Sequence, residues 1–362
     1  MAPSLPPALQ KSLDESRVEY VRLGTSGLQV SVPILGAMSF GSSQWMPWVL
    51  DEDASIEMLK AAYDRGLNTW DTADMYSNGI SEETIGKALK KHSIPREKVV
   101  IMTKCFIAVP DQPDIFAAPW QREMLQMKDY VNRAGMLSLI ICLSRAAIFK
   151  AVDASLQRLG TDYIDLFMVH RFDPSTPIEE TMRALNDLVA SGKIRYIGAS
   201  SMWATQFARM QSVAEKNGWT KFISMQNYYN LCYREEEREM IRYCNETGVG
   251  IMPWSPNFGG KLAKPLGDAT SMRAQMPSPT GSLTKADEEI IRRVEKLATQ
   301  KDWTMSHVAL SWLRSKGAVP IVGLNSLLRL EEACDLRGKE LTADEIKILE
   351  EPYVPKNVVG HV

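Results

Sequence analysis

The 362-residue chain has few cysteines, and their arrangement suggests neither a bridge nor a metal site. The count is odd and no two cysteines form a CxxC pair; they are Cys105, Cys142, Cys232, Cys244 and Cys334. Scattered, unpaired thiols argue against a disulfide framework and against a zinc site, so no metal is expected. The same usage is typical of a reducing compartment and predicts a cytoplasmic protein.

The chain also lacks an excess of charge of either sign and any long apolar run. Its formal net charge of −2 predicts no contact with nucleic acid or an anionic membrane surface. No stretch approaches the roughly 18 uninterrupted apolar residues of a membrane span, and the proline-containing start does not resemble a signal peptide. The expected partner is a small molecule. The sequence does not indicate an oligomeric state.

A GxGxxG loop is absent after the first predicted strand, which ends in Gly36-Ala-Met-Ser-Phe-Gly41. This disfavours an open, doubly wound dinucleotide-binding sheet. The chain instead has eight short apolar runs, at residues 32–35, 68–70, 99–103, 163–169, 194–197, 222–225, 250–253 and 318–322. Helical patterns separate them, near residues 53–65, 81–92, 144–158, 177–190, 204–217, 234–247, 286–300 and 305–316. Eight such repeats predict an α/β protein, a (β/α)8 TIM barrel.

The expected organisation is a flexible tail over residues 1–18 followed by a single barrel domain over residues 19–362. Residues 20–23 and 28–30 flank Gly-Thr-Ser-Gly, which predicts an N-terminal β-hairpin. Near the other end, Thr342 and Glu345 form a capping-box pattern that begins one more helix.

Two connections are much longer than the others, at about residues 105–143 and 255–284. Because both follow strands, we expect them at the C-terminal face of the barrel, where sites are built. The first contains an apolar segment, residues 136–142, which could be a buried plug or a partner-facing patch. We hypothesise that it is an insertion from an incorrect gene model, since its removal leaves a plain approach to a helix capped by Ser144. Sequencing the transcript tests this.

Four chemically useful residues lie at or just beyond the ends of predicted strands two, three and four: Asp71, Tyr76, Lys104 and His170. Strand ends are neighbours on one rim of a barrel. Reduction of a carbonyl by hydride requires a proton donor. Tyrosine can serve if a lysine cation lowers its pKa from about 10, a carboxylate holds the lysine, and an imidazole orients the carbonyl. Taken singly, each residue could instead be a loop cap or ordinary packing.

Longer motifs surround these residues and resemble the aldo-keto reductase family. They are Gly66-Leu-Asn-Thr-Trp-Asp-Thr-Ala-Asp-Met-Tyr76, Ile101-Met-Thr-Lys104, Leu159-Gly-Thr-Asp-Tyr-Ile-Asp-Leu-Phe-Met-Val-His170, Ile197-Gly-Ala-Ser-Ser201, Gln226-Asn-Tyr-Tyr-Asn230 and Pro253-Trp-Ser-Pro256. The similarity runs from about residue 19 to the end. The final segment further resembles fungal members of the versiconal hemiacetal acetate reductase and aryl-alcohol dehydrogenase type.

The resemblance implies NADPH bound across the barrel mouth and reduction of an aldehyde or ketone to an alcohol. It implies Tyr76 as general acid, Lys104 and Asp71 as its tuning pair, and His170 as the residue that orients the carbonyl. The implied cofactor-binding residues are Ser200, Ser201, Gln226, Trp254, Ser255, Gly323, Asn325, Ser326, Arg329 and Glu332. Two of these depart from the family pattern: many members have asparagine at Ser201 and lysine at Ser326.

Apolar and aromatic residues in the loops after strands one and three predict a pocket for hydrophobic or aromatic carbonyl compounds: Trp45, Met46, Trp48, Phe106 and Ile107. Two other functions remain open. One is an NADPH-binding regulatory or sensor subunit of the potassium-channel β-subunit type. The other is a lyase or isomerase that uses Lys104 as a Schiff-base amine, which the nearby Asp71 argues against.

Overall fold

A computed structural model describes residues 5–6, 9–11, 16–116, 142–268, 270, 272–275 and 279–361. The apolar segment predicted at residues 136–142 lies outside these residues except for its last member, Cys142. Every helix in the described part of the chain is too short or too polar to traverse a lipid bilayer.

The strands match the predicted runs. An antiparallel hairpin of β1 and β2 precedes a short parallel pair of β4 and β5 and an eight-stranded parallel sheet. The strands are Glu19–Arg22 (β1), Gln29–Val32 (β2), Ile34–Gly36 (β3), Phe40–Gly41 (β4), Leu50–Asp51 (β5), Thr69–Asp71 (β6), Val100–Cys105 (β7), Ile164–Val169 (β8), Ile194–Ser200 (β9), Ser224–Gln226 (β10), Gly250–Ile251 (β11) and Ile321–Gly323 (β12).

The eight-stranded sheet curls into a barrel. Its strand order is β11-β10-β9-β8-β7-β6-β3-β12, so neighbours along the chain are neighbours in the sheet apart from the small β4–β5 pair. A parallel bridge between Ile251 and Ala318 joins β11 to the segment that leads into β12. The amide of Val319 donates to the Ile251 carbonyl at 2.8 Å, which closes the ring. The predicted TIM barrel is confirmed.

The helices alternate with the strands and lie outside the barrel, where α1 packs on α2, α2 on α3, α3 on α4 and α4 on α5. They are Glu52–Asp64 (α1), Ile80–Lys91 (α2), Arg145–Leu159 (α3), Ile178–Ala190 (α4), Ala204–Asn217 (α5), Met240–Thr247 (α6), Met272–Gln275 (α7), Lys285–Lys301 (α8), Met305–Ser315 (α9), Leu327–Cys334 (α10) and Ala343–Glu350 (α11).

Local sequence explains where several helices begin. The Ser144 side chain caps α3 by accepting from the Ala147 amide, and Thr284 and Thr304 form capping boxes at α8 and α9. The predicted box of Thr342 and Glu345 is present at α11. Each cap satisfies a backbone N–H that has no partner inside the helix.

Several predicted boundaries were wrong. The last barrel strand begins at Ile321 rather than residue 318, because Ala318 makes only an isolated bridge to Ile251. The helix expected from residue 234 begins only at Met240, because the preceding residues form a separate turn, Glu235–Glu237, whose carboxylates Glu235 and Glu236 are buried against other parts of the chain. The first barrel strand begins at Ile34 rather than residue 32, because Val32 belongs to the hairpin strand β2.

Candidate active site

Three neighbouring strands place the predicted acid–base residues on one rim. Asp71 ends β6, Lys104 is the penultimate residue of β7, and His170 directly follows β8. Tyr76 begins a short 3-10 turn, Tyr76–Gly79, five residues beyond Asp71. In the sheet, Lys104 lies opposite Met168 and Asp71 opposite Met102. Because parallel strands end on the same side, residues separated by up to a hundred positions meet there.

Lys104 lies at the centre of the cluster and its side chain is fully buried. Its ammonium donates to Asp71 Oδ2 at 2.7 Å, to the Thr72 carbonyl at 2.8 Å and to Tyr76 Oη at 3.5 Å. Gln226 Nε2 donates to the other carboxylate oxygen of Asp71 at 2.9 Å. Asp71 thus receives two donors, which together stabilise its charged form.

The ammonium of Lys104 remains charged. Burial alone would lower its pKa, but the Asp71 carboxylate and the Tyr76 phenol outweigh burial and raise the pKa above its usual value. Burial and the charge of Glu82 raise the pKa of Asp74 well above the ordinary range, and the Lys104 ammonium bonds to Asp71 instead. The cluster therefore contains one defined ion pair beside the phenol.

The Tyr76 phenol stays protonated at neutral pH. Burial raises its pKa above the ordinary value of 10.0, while the charges of Lys104 and Arg171 act in the opposite direction. Lys104 lowers the pKa of Tyr76, as predicted. The predicted net lowering of this pKa was wrong, because burial of the phenol raises the pKa by more than Lys104 lowers it. A protonated phenol next to a fixed cation is the form needed to donate a proton.

His170 is neutral in the folded protein. Burial lowers the pKa of its imidazole well below 6.5, and the nearby Arg171 and Lys104 cations lower it further. Its ring lies edge-on to Tyr76 with 6.0 Å between centroids. In the described part of the chain its buried Nδ1 has no hydrogen-bond partner. A neutral imidazole here can donate one hydrogen bond to an oxygen held near the phenol.

The depressed pKa of His170 predicts a pH dependence of stability. In the unfolded chain this histidine takes up a proton below its ordinary pKa of about 6.5, whereas the folded protein does not, so the free energy of unfolding falls as the pH falls. The contribution approaches about 1.4 kcal/mol per pH unit for one proton. Urea unfolding of the native protein and His170→Gln at pH 7.5, 6.0 and 5.0 should show a shallower loss in the variant. Parallel curves would contradict the prediction.

A second group of predicted residues lies at or just beyond the ends of the neighbouring strands β9 to β11. Ser200 Oγ donates to the Gln226 carbonyl at 2.7 Å, and the Ser201 amide donates to the same carbonyl at 3.2 Å. The Trp254 indole N–H donates to Ser201 Oγ at 3.1 Å. Since Gln226 also binds Asp71, this group is continuous with the acid–base cluster.

Trp254 lies at the end of a stack of aromatic rings. Its indole packs on Tyr228, with 4.5 Å between centroids and 22° between planes, and Tyr228 packs in turn on Tyr233. The C-terminal segment lies beside this stack, where the position of a Cβ on Gly360 would be 3.6 Å from the Trp254 ring. Ser255 follows at a positive φ of 55° and accepts from the Gly259 amide at the start of the second long loop.

The remaining predicted residues form a separate group after β12. Gly323 lies opposite Gly36, which lies opposite Asp71, so the group begins at the same rim. Ser326 caps α10, and Arg329 Nη1 donates to Asn325 Oδ1 at 2.8 Å. Among the described residues the Glu332 side chain makes no hydrogen bond or ion pair, and its backbone carbonyl lies 2.8 Å from His307 Nε2.

Of the residues predicted to line the substrate pocket, Trp45 has its ring near that of Tyr76. Trp45 is buried, with its ring 6.4 Å from that of Tyr76, and it also packs on Phe116. Phe106 and Ile107 are buried, and Met46 and Trp48 are partly buried against the core. A cavity of about 590 Å³ lies at the opposite end of the barrel, between the hairpin and the start of β11, and its lining includes none of the predicted site residues.

Sequence reasoning missed several residues of the site. Arg171 follows His170 and acts electrostatically on both His170 and Tyr76. Asn227 accepts from the Ser201 amide at 3.2 Å and bonds to the buried Glu236. Both could have been found from the sequence, because Arg171 directly follows the predicted His170 and Asn227 directly follows the predicted Gln226.

Comparison with known proteins finds similarity over nearly the whole chain. A sequence profile described as the aldo/keto reductase family matches residues 34–353. The chain is 54% identical to an aldo-keto reductase of Fusarium vanettenii, over 99% of this chain and 97% of the relative. It is 52% identical to the versiconal hemiacetal acetate reductase of Aspergillus parasiticus, over 94% and 98%. It is 45% identical to an aryl-alcohol dehydrogenase-like protein of Saccharomyces cerevisiae, over 94% and 98%.

Proposed function

The chain belongs to the aldo/keto reductase family and is an oxidoreductase of small-molecule carbonyl compounds, and on that premise we propose that it reduces hydrophobic or aromatic aldehydes and ketones with NADPH. The observation that carries this proposal is the buried ion pair of Lys104 and Asp71 with the protonated phenol of Tyr76 beside it. Lys104 is held charged by Asp71, which makes the Schiff-base alternative unattractive, since that chemistry requires a neutral amine.

In the proposed reaction the carbonyl oxygen of the substrate lies between Tyr76 Oη and the imidazole of His170. His170 donates a hydrogen bond that orients the carbonyl, and Tyr76 transfers its proton to the oxygen as negative charge develops there. Lys104 stabilises the resulting phenolate, and Asp71 keeps the ammonium in position. The dihydronicotinamide supplies the hydride to the carbonyl carbon when bound. Burial of the cluster strengthens each of these interactions.

The residues around Trp254 fit a nicotinamide ring. The indole has one face on Tyr228, which leaves a flat aromatic surface for stacking, and Ser200, Ser201 and Gln226 supply polar groups beside it. Aldo-keto reductases in general use NAD(P)H, and this group is where we propose that the carboxamide is held. Ser255, at its positive φ, begins the loop that would lie along the cofactor.

The preference for NADPH rests on the group after β12. The first turn of α10 offers backbone N–H groups and Arg329, a planar cation that can make paired hydrogen bonds to a phosphate. Gly323, Asn325, Ser326 and Glu332 would surround the adenosine end of the cofactor. In the described structure Arg329 is bound only to a neutral amide, so its charge is available for an anion. A cytoplasmic location is part of the proposal, and all five cysteines are free thiols.

The test is to follow the absorbance of NADPH, and separately of NADH, with the purified full-length chain and a panel of aromatic and aliphatic aldehydes. We expect turnover of aromatic aldehydes with kcat/KM higher for NADPH than for NADH. Binding of NADPH without turnover of any carbonyl compound would contradict the reductase proposal and favour a sensor subunit. Absence of both binding and turnover would contradict the cofactor assignment.

A further inference from the structure

Within the described part of the chain, Arg171 is a cation without a counter-charge beside the acid–base cluster. It directly follows His170, its side chain is partly buried, and Nη1 donates to the His170 carbonyl at 2.6 Å. A guanidinium has five N–H donors, and among the described residues this is its one bond, so most of its hydrogen-bonding capacity is unused there. Among the described residues no carboxylate lies within ion-pair distance of it, although most other buried or partly buried arginines in the chain have one, such as Arg158 with Glu82 and Arg96 with Asp165.

The charge of Arg171 acts on the reacting groups of the cluster, and its bond to the His170 carbonyl fixes the guanidinium next to one of them. Arg171 acts on the phenol of Tyr76 and the imidazole of His170, and the phenol is the titratable group that acts on Arg171 in return. Burial lowers the pKa of its guanidinium to about 10. An unpaired cation in such a place costs free energy, which an anionic ligand would recover.

Two unused indole donors, one of them on a ring near the phenol, indicate an oxygen-bearing ligand. The indole nitrogens of Trp45 and Trp48 are buried and have no acceptor among the described residues. Trp45 is only 3% exposed and its ring lies 6.4 Å from that of Tyr76. Buried donors are normally satisfied, so their acceptors are to be sought on a bound molecule.

We propose that Arg171 binds a carboxylate of the substrate next to the reacting carbonyl, so that acid-bearing aldehydes and ketones are preferred to neutral ones. The planar guanidinium can pair both oxygens of a carboxylate while His170 and Tyr76 hold the carbonyl oxygen. The inference rests on the proposed reductase function and narrows its substrate class. Arg171 is on this view a specificity-determining residue.

An arginine that stacks on Trp48 also lacks a carboxylate partner in the described structure. Arg273 of α7 lies over the Trp48 ring, with 4.4 Å from Cζ to the centroid. Burial lowers the pKa of Arg273 too, but its stack on the Trp48 indole already stabilises this cation, so an anion adds less there than at Arg171, which has no such stack among the described residues. Replacement of Arg171 is therefore expected to change the preference for acid-bearing substrates more than replacement of Arg273.

The test measures kcat/KM for 3-formylbenzoate, 4-formylbenzoate and their methyl esters. The ratio of acid to ester cancels effects common to both substrates. In the native enzyme we expect a ratio well above one for at least one isomer, and in Arg171→Gln a loss of that ratio by about 10- to 100-fold, the range for a hydrogen bond to a charged group. Arg171→Lys, which keeps the charge, should retain part of the ratio. Arg209→Gln, an equal charge change on the exposed side of α5, is the matched control.

Each result decides the matter. A native ratio near one for both isomers, an unchanged ratio in Arg171→Gln, or a ratio that falls in Arg273→Gln instead would overturn the proposal. So would equal losses for acid and ester with a shifted pH profile, which would mean that Arg171 acts only on Tyr76. Thermal unfolding of each variant excludes a folding defect. Titration with 3-(hydroxymethyl)benzoate and its methyl ester gives the acid-to-ester preference as a ratio of Kd values. Because binding requires no turnover, this ratio tests the role of Arg171 even if the reductase proposal fails.

Discussion

Replacing Tyr76 with phenylalanine is expected to lower kcat for aldehyde reduction by about 10²- to 10⁴-fold while the cofactor still binds, because the change removes only the proton donor. The hydroxyl accepts a long, 3.5 Å bond from Lys104, so little folding free energy depends on it. Steady-state kinetics with NADPH and an aromatic aldehyde, together with a cofactor titration, measure both quantities.

Tyr20→Phe is the matched control for this experiment. It also removes one tyrosine hydroxyl, which donates to the Gly66 carbonyl at 2.6 Å, but the residue lies in the hairpin strand β1, away from the rim that carries Lys104. We expect its kcat to stay within about twofold of the native value, since a single lost hydrogen bond affects stability by about 1 kcal/mol. A Tyr76→Phe enzyme that kept more than a tenth of native kcat would show that another group is the acid.

Lys104→Met is expected to remove activity and also to destabilise the fold by about 3–5 kcal/mol, because it leaves the buried Asp71 without its cation. Burial already raises the pKa of Asp71, and the loss of Lys104 removes the opposing charge. Asp71 would therefore be protonated or unfavourably charged in the variant. Chemical unfolding at pH 7.5 measures the loss of stability.

The double variant Lys104→Met with Asp71→Asn separates the two roles of the pair. Removing both charges abolishes the uncompensated carboxylate, and an asparagine oxygen can still accept from Gln226. We therefore expect the double variant to regain most of the lost stability while remaining inactive. If it stays as unstable as Lys104→Met, the instability has another cause, such as the cavity around the methionine. If it regains activity, the cation is not required for proton transfer.

The two variants also distinguish a catalytic defect from a folding defect. Tyr76→Phe changes the rate with the fold nearly unaffected, whereas Lys104→Met changes both. This difference is expected because Tyr76 only donates the proton, whereas the buried ion pair of Lys104 and Asp71 also holds the cluster in place.

Much of this protein could be predicted from its sequence because the signals are local. The eight apolar runs and their intervening helical patterns gave the barrel, since continuous apolar strands need helices on one face and a closed interior on the other. The caps at Ser144 and Thr342 could be read from single residues. Asp71, Lys104 and His170 were recognisable because polar residues at the ends of buried strands require a reason.

Only the tertiary structure decided the charge states and the partners. Whether burial or Lys104 dominates the pKa of Tyr76 depends on how completely the phenol is desolvated, which no spacing of residues reveals. The bond from Gln226 to Asp71 joins residues 155 positions apart. The unpaired state of Arg171 is also a property of its surroundings, because an arginine after a histidine looks the same in sequence whether or not a carboxylate faces it. Composition and periodicity are local properties of the sequence, whereas the burial and pairing of ionisable side chains depend on contacts between segments that are distant in the chain.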